Sequence, residues 1–224
     1  MPSDSLQQRD FIARLAAPRL RAPVGLSFAG LLLSGAMALP AAAQNAPGVT
    51  DHEIKIGQTM PYTGPGARFS VSGQAETAYM QMINDRGGIN GRRINLISVD
   101  DGFTPWRTGN ETRKLIEVER VAFIFGSLGT VTQLSVAKYL NERKIPQLFI
   151  ESGAYRWGDY KATPYTIAGM RPSYRLGARL YVRHILKQDP NAKICILYED
   201  NDYGRDYTAG ARDVLSDKYA ATVR

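Results

Sequence analysis

The chain has 224 residues and a mass of 24.7 kDa, with 44% hydrophobic and 22% charged residues, the balance of a folded protein of one large domain or two small ones and not of a disordered or fibrous chain. A single cysteine, Cys195, excludes an internal disulfide and any zinc or iron–sulfur cluster built from this chain's cysteines alone, and two histidines, His52 and His184, leave little for a histidine-rich metal site. The formal charge is +7 and the isoelectric point about 9.5.

Part of that basicity lies at the amino terminus, where Arg9, Arg14, Arg19 and Arg21 face only Asp4 and Asp10. An uncharged apolar run from Leu26 to Leu39 follows, and Ala41 and Ala43 occupy both small-residue positions of an Ala-x-Ala site. This pattern predicts an export signal over residues 1–43, cleaved so that the mature chain begins at Gln44. The alternative, a membrane anchor, is disfavoured because the run falls short of the roughly 20 apolar residues a bilayer span needs. Four of the 28 basic and two of the 21 acidic residues lie in that segment, so the remainder carries a net +5. Such a charge serves solubility and is no signature of nucleic-acid binding.

Beyond the leader, strands and helices alternate. Ile54 to Gly57 leans towards strand, and a Gly/Pro-rich loop around Thr63 to Ala67 leads into a helical pattern with Ala75, Ala78, Tyr79, Met82 and Ile83 on one face. Gly87-Gly88 closes it. Ile94 to Asp100 reads as a strand, Thr108 to Arg120 as a helix, and Val121 to Phe125 as a strand of the kind buried on both faces of a parallel sheet. A third helix is expected from Val131 to Arg143 and a fourth strand from Gln147 to Ile150. Strands separated by helices in this way predict right-handed βαβ crossovers and a doubly wound parallel sheet.

Past Ala154 the regularity lapses through Trp157, Pro164 and Pro172, which marks a crossover to a second unit. The expected division is residues 44–165 for a first α/β lobe and 166–224 for the start of a second. In the latter a helix is expected from Ser173 to Lys187, a strand from Lys193 to Tyr198, and a helix from about Gly204 to Ser216. Arg175, Arg179, Arg183 and Lys187 form a basic stripe, read as a solvated helix face in preference to an anion site. Cys195, inside an apolar run, is expected to be a buried small hydrophobe. The chain stops at Arg224, where another strand is due, so the second lobe is expected to be cut short.

Several chemistries find no support. The third glycine of a dinucleotide loop beginning at Gly64 would fall at Phe69, and neither a phosphate-loop lysine pattern nor a G-x-S-x-G elbow occurs. Asp100-Asp101 and Asp200/Asp202 read as helix caps in preference to metal ligands. His52 and His184 have no partners arranged for catalysis. Three loops at strand carboxyl ends remain: Thr63 to Ser70, Ser127 to Thr132 and Glu151 to Ala154. Each alone reads as a turn that caps the next helix. Together, at equivalent strand ends and rich in Ser, Thr and Gly, they read as a small-molecule site.

The strings IKIGQTMPYTGPG (54–66), INDRGGING (83–91), Asp100-Asp101, GSLGTVTQ (126–133) and YEDNDYG (198–204) occur in that order. In them the chain resembles the branched-chain amino-acid-type periplasmic binding proteins of ABC transporters. The resemblance implies a type I α/β fold of two hinged parallel-sheet lobes, about twice the mature length present here, and no catalysis or cofactor. It implies a periplasmic monomer that holds a small-molecule solute between the lobes and meets membrane permease subunits transiently. A ligand-sensing receptor or regulator module of the same fold is the alternative. Carried over residue by residue, the ligand aromatic falls on Phe69, the carboxylate-binding groups on Ser127, Leu128, Gly129 and Thr130, and the ammonium-holding groups on Ser152, Gly153 and Ala154. Tyr203 would reach the ligand from the second lobe, whose acidic contact lies beyond Arg224. Alanine at 154 lacks the hydroxyl that amino-acid binders tend to carry, so an amino acid, an aromatic or aliphatic carboxylate, an amide and a urea-like solute all stay open.

Overall fold

Five parallel strands stand in the order β2-β1-β3-β4-β5 in the computed structural model, which describes residues 46–223. The export signal expected over 1–43 lies outside the described residues. The elements are β1 (Glu53–Met60), α1 (Ser70–Asp85), β2 (Arg93–Asp100), α2 (Pro105–Glu117), β3 (Ile124–Phe125), α3 (Val131–Glu142), β4 (Gln147–Ile150), β5 (Thr166–Ala168), α4 (Tyr174–Gln188), α5 (Asp202–Leu215) and α6 (Tyr219–Thr222). β1 and β2 pair over their full length, from Glu53 with Arg93 to Met60 with Asp100.

The helices cover both faces because successive strand residues point in opposite directions. Gln58 meets Glu76 of α1 on one face, whereas the neighbouring Thr59 meets Gln133 of α3 on the other. The α2–α3 face carries the aliphatic core of Leu115, Val121, Ile124, Val136 and Leu140, with Ile97 and Val99 of β2 packed against it. The α1 face is more polar. Gly73 lets α1 lie close there, since a Cβ at this position would come within 2.9 Å of Met60.

The first three expected helices are present, and two of them start earlier than the apolar pattern alone indicates. α1 begins at Ser70, and α2 begins with Pro105 in its first turn, where a missing N–H is harmless. The strand expected from Val121 is regular only over Ile124–Phe125, although Ala122 N–H still donates to Lys55 and Phe123 C=O accepts from Gly57, both at 2.9 Å.

Two readings of the later chain need correction. Thr166–Ala168 is a fifth strand paired with β4, so the first sheet takes in residues assigned above to the second unit. Lys193 to Tyr198 forms no regular strand. Its one ladder contact among the described residues is Ile194 with Val223, where Ile194 N–H donates to Thr222 O at 2.9 Å, and Leu197 is 99% exposed. A run of β-favouring residues becomes a strand only with a hydrogen-bonded neighbour along its length. For the same reason Cys195 is exposed and not buried. α4 and α5 pack closely through small residues, Ala178 against Gly210, with Val182, Ile194, Ala211 and Leu215 forming a separate small core. Among the described residues no helix is long and apolar enough to cross a membrane.

Candidate functional site

β1 leads into α1 on one face of the sheet and the adjacent β3 leads into α3 on the other, so their carboxyl ends diverge and leave a crevice, the preferred ligand position in open α/β sheets. A cleft of about 570 Å³ opens there, closed on its far side by the amino-terminal ends of α4 and α5.

Its floor is the start of α3. Among the described residues, the backbone N–H groups of Thr130, Val131 and Thr132 have no acceptor within the chain. Three unengaged donors at the positive end of a twelve-residue helix are a ready anion site. Gly129, at φ +116°, turns the chain into that helix, and a Cβ there would collide with Thr132 Oγ1.

One wall is held by two aspartates. Asp100 accepts from the N–H groups of Thr63 and Gly102, each at 3.0 Å, and pairs with Arg107 at 3.0 Å. Its partial burial opposes charge, but the Thr63 hydroxyl, the two N–H groups and Arg107 outweigh that and bring the carboxyl down to about 2. Asp101, fully buried, accepts from Phe103 N–H at 2.9 Å and Thr108 Oγ1 at 2.8 Å. The pair therefore fixes the loops that carry Gly66 and Phe103.

On the opposite wall Glu151 follows β4. Its Oε1 is paired with Arg171 Nη2 and accepts from Ser72 Oγ at 3.2 Å. Tyr174, Tyr203 and Tyr207 form one aromatic cluster with ring centroids 4.9–5.5 Å apart. Burial, and after it the neighbouring Tyr203, pushes the Tyr207 hydroxyl up to about 12.

The structure brings Phe69, Leu128, Gly129, Thr130 and Tyr203 together on the cleft and sets Ser127, Ser152, Gly153 and Ala154 behind its wall. Ser127 Oγ accepts from Thr59 N–H at 2.9 Å. Ser152 Oγ accepts from Trp157 Nε1 at 3.0 Å and lies 2.8 Å from Thr130 Oγ1. Both serines are 1% exposed; Ser127 serves the sheet and Ser152 the loops that follow it. Glu151, the first residue of the third strand-end loop, also lines the cleft, as do Phe103, Arg171, Tyr174 and Tyr207, which the sequence does not single out. Phe103 follows the carboxyl end of β2 closely, a positional signal that could have found it; Arg171 sits in a connection without periodicity, and Tyr174 and Tyr207 lie on α4 and α5, where helical period alone gives no sign of the cleft.

Beneath the site, Glu76 of α1 accepts from Gln58 Nε2. Burial, opposed by that hydrogen bond and reinforced by the charge of Glu151, raises its carboxyl from 4.5 to about 7. The native state then holds this proton more tightly than the unfolded chain, so Glu76's contribution to stability is greatest below pH 4.5 and is lost as pH rises towards about 7. Glu76→Gln keeps the acceptor and removes the titration. Its melting temperature relative to the parent should climb as pH is raised from about 5 to 8. A difference independent of pH would contradict the assignment.

Residues 53–223 match the family model described as periplasmic binding protein. The chain is 28% identical over 212 residues to Leu/Ile/Val-binding protein homolog 7 of Brucella suis, covering 88% of this chain and 50% of that protein. It spans about half the length of the curated relatives it matches. Among solved structures, it is similar to a branched-chain amino acid ABC transporter protein from Thermus thermophilus with bound valine, at TM-score 0.68 and 18% identity, covering 79% of this chain and 45% of that one. It is also similar to a fatty acid ABC transporter substrate-binding protein from Thermomonospora curvata, at TM-score 0.67 and 21% identity, covering 83% and 46%. At such identities these structural likenesses establish the fold alone.

Proposed function

The chain belongs to the periplasmic binding protein family, and from that premise we propose that it is the extracytoplasmic solute-binding component of an ABC importer, exported to the periplasm by residues 1–43. Its cleft takes a small carboxylate-bearing or amide solute, a branched-chain amino acid, a related acid or an aromatic acid, without chemical change. Membrane permease subunits are its transient partners.

One observation carries this reading: three unengaged N–H groups at the start of α3 face a cleft of about 570 Å³ at the sheet's topological switch point. They bind a carboxylate with no need for a buried lysine or arginine. Phe69 and Tyr203, from opposite sides of the cleft, supply apolar walls. Closure of the α4–α5 side onto docked solute then excludes water. The hinge of that movement is proposed in the connection after Ala168, and not at residue 165, since β5 belongs to the first sheet.

Titration calorimetry of the chain against short carboxylates and their methyl esters tests the proposal. An acid should bind and its ester should not, because esterification removes the charge that the helix terminus recognises. Equal affinity for both would remove α3 from the account.

A further inference from the structure

We propose that this cleft selects an aromatic carboxylate over an aliphatic amino acid, and that Phe103 sets the preference. The inference rests on the carboxylate-binding reading above and narrows its ligand class.

Phe103 is held with unusual firmness. It has φ +57°, a conformation that a bulky residue adopts only when its surroundings impose it. Asp101 fixes its N–H at 2.9 Å. Glycines flank the ring on two sides: a Cβ at Gly66 would come within 2.8 Å of it, and one at Gly129 within 3.0 Å. The ring is thus wedged between the first cleft loop and the turn into α3, beside the N–H groups that take the carboxylate. A rigid aromatic wall favours a flat partner through offset or edge contacts, and its ordering cost is met before the solute arrives.

The remaining walls agree. Phe69, Tyr174, Tyr203 and Tyr207 line the same cleft, so five aromatic rings surround the space above α3. Charge favours the carboxylate as well. Arg68 lies over the Phe69 ring at 4.9 Å and, among the described residues, has no carboxylate within salt-bridge distance. Of the two carboxylates on the cleft, Glu151 is paired through Oε1 with Arg171 and accepts there from Ser72, whereas Glu199 accepts from Asn201 Nδ2 at 2.8 Å through Oε2 and, among the described residues, has no cation within salt-bridge distance. The second oxygen of Glu151 is buried and, among the described residues, has no hydrogen-bond partner. The cleft therefore offers free N–H donors and an unpaired arginine to the carboxylate and five rings to the rest of the solute.

Calorimetric titration of the chain with phenylacetate, 4-methylpentanoate and L-leucine tests this. Phenylacetate should bind about tenfold more tightly than either of the others. In Phe103→Leu that ratio should fall towards one, and in Phe103→Tyr it should persist. If L-leucine or 4-methylpentanoate binds as tightly as phenylacetate, the aromatic preference is overturned while carboxylate capture stands. If none of the three binds, both readings fall. The ranking on the unaltered chain decides the ligand class even if Phe103→Leu fails to fold.

Discussion

Val131→Asp is expected to leave the chain folded and to abolish its capture of carboxylate solutes. Val131 is the first residue of α3, 40% exposed, and lines the cleft. A negative side chain at that helix position is favourable by about 0.3–1 kcal/mol, so the melting temperature should hold or rise slightly. The same charge stands where the solute's carboxylate docks. Two unit charges roughly 5 Å apart, at an effective dielectric constant of about 20, repel by about 3 kcal/mol. The aspartate also competes for the free N–H groups, and each hydrogen bond to a charged group is worth about 1.5–3 kcal/mol. Together these weaken binding by about a thousandfold or more. Val131→Asn, similar in size and uncharged, should lose no more than about tenfold. Calorimetry separates the two variants, and parental affinity in Val131→Asp would mean that the anion sits elsewhere. Gly129→Asp is less informative, because φ +116° and the collision with Thr132 Oγ1 mix backbone strain with charge.

Gly153→Ala should produce the largest loss of stability. A methyl group at 153 would overlap the Pro172 carbonyl oxygen and lie 2.9 Å from the Tyr174 ring. Those two stretches are already joined, since Tyr174 N–H donates to Gly153 O at 2.8 Å, and they cannot separate without losing that bond. Overpacking of this kind costs about 1–3 kcal/mol, and the lost hydrogen bond about 1 kcal/mol more. For a chain of this size each kcal/mol lowers the melting temperature by roughly 2–4 °C, so a fall of about 4–16 °C is expected in solute-free protein. Gly158→Ala is the matched control, since a Cβ there meets nothing within 4 Å. A Gly153→Ala melt that coincides with that control would contradict the packing described.

What the sequence made legible follows from which signals are local. The starts of β1, β2 and β4 and the bodies of α1 to α3 are written in hydrophobic period and turn residues, and they lie where that period puts them. β5 was missed because Thr166–Ala168 is three residues long and owes its conformation to pairing with Gln147–Ile150. Lys193 to Tyr198 was misread for the converse reason: strong β-propensity without a partner along its length. At the cleft, motif order located Phe69, Gly129, Thr130 and Tyr203. The same motifs could not tell which way side chains face at a strand end. Ser127 and Ser152 are turned towards buried hydrogen-bond partners, away from the cleft that their loops border. Phe103 was legible by its place after the carboxyl end of β2, but the wedging of its ring depends on glycines 37 and 26 residues away in sequence, a relation that no local pattern carries.

The central claim is that the start of α3 receives the solute's carboxylate, and amide chemical shifts of the ¹⁵N-labelled chain test it most directly. On titration with phenylacetate, the N–H signals of Thr130, Val131 and Thr132 should move downfield together and saturate with one binding curve, as donors newly bonded to an anion do. Saturable shifts elsewhere in the chain with these three amides unmoved would contradict it.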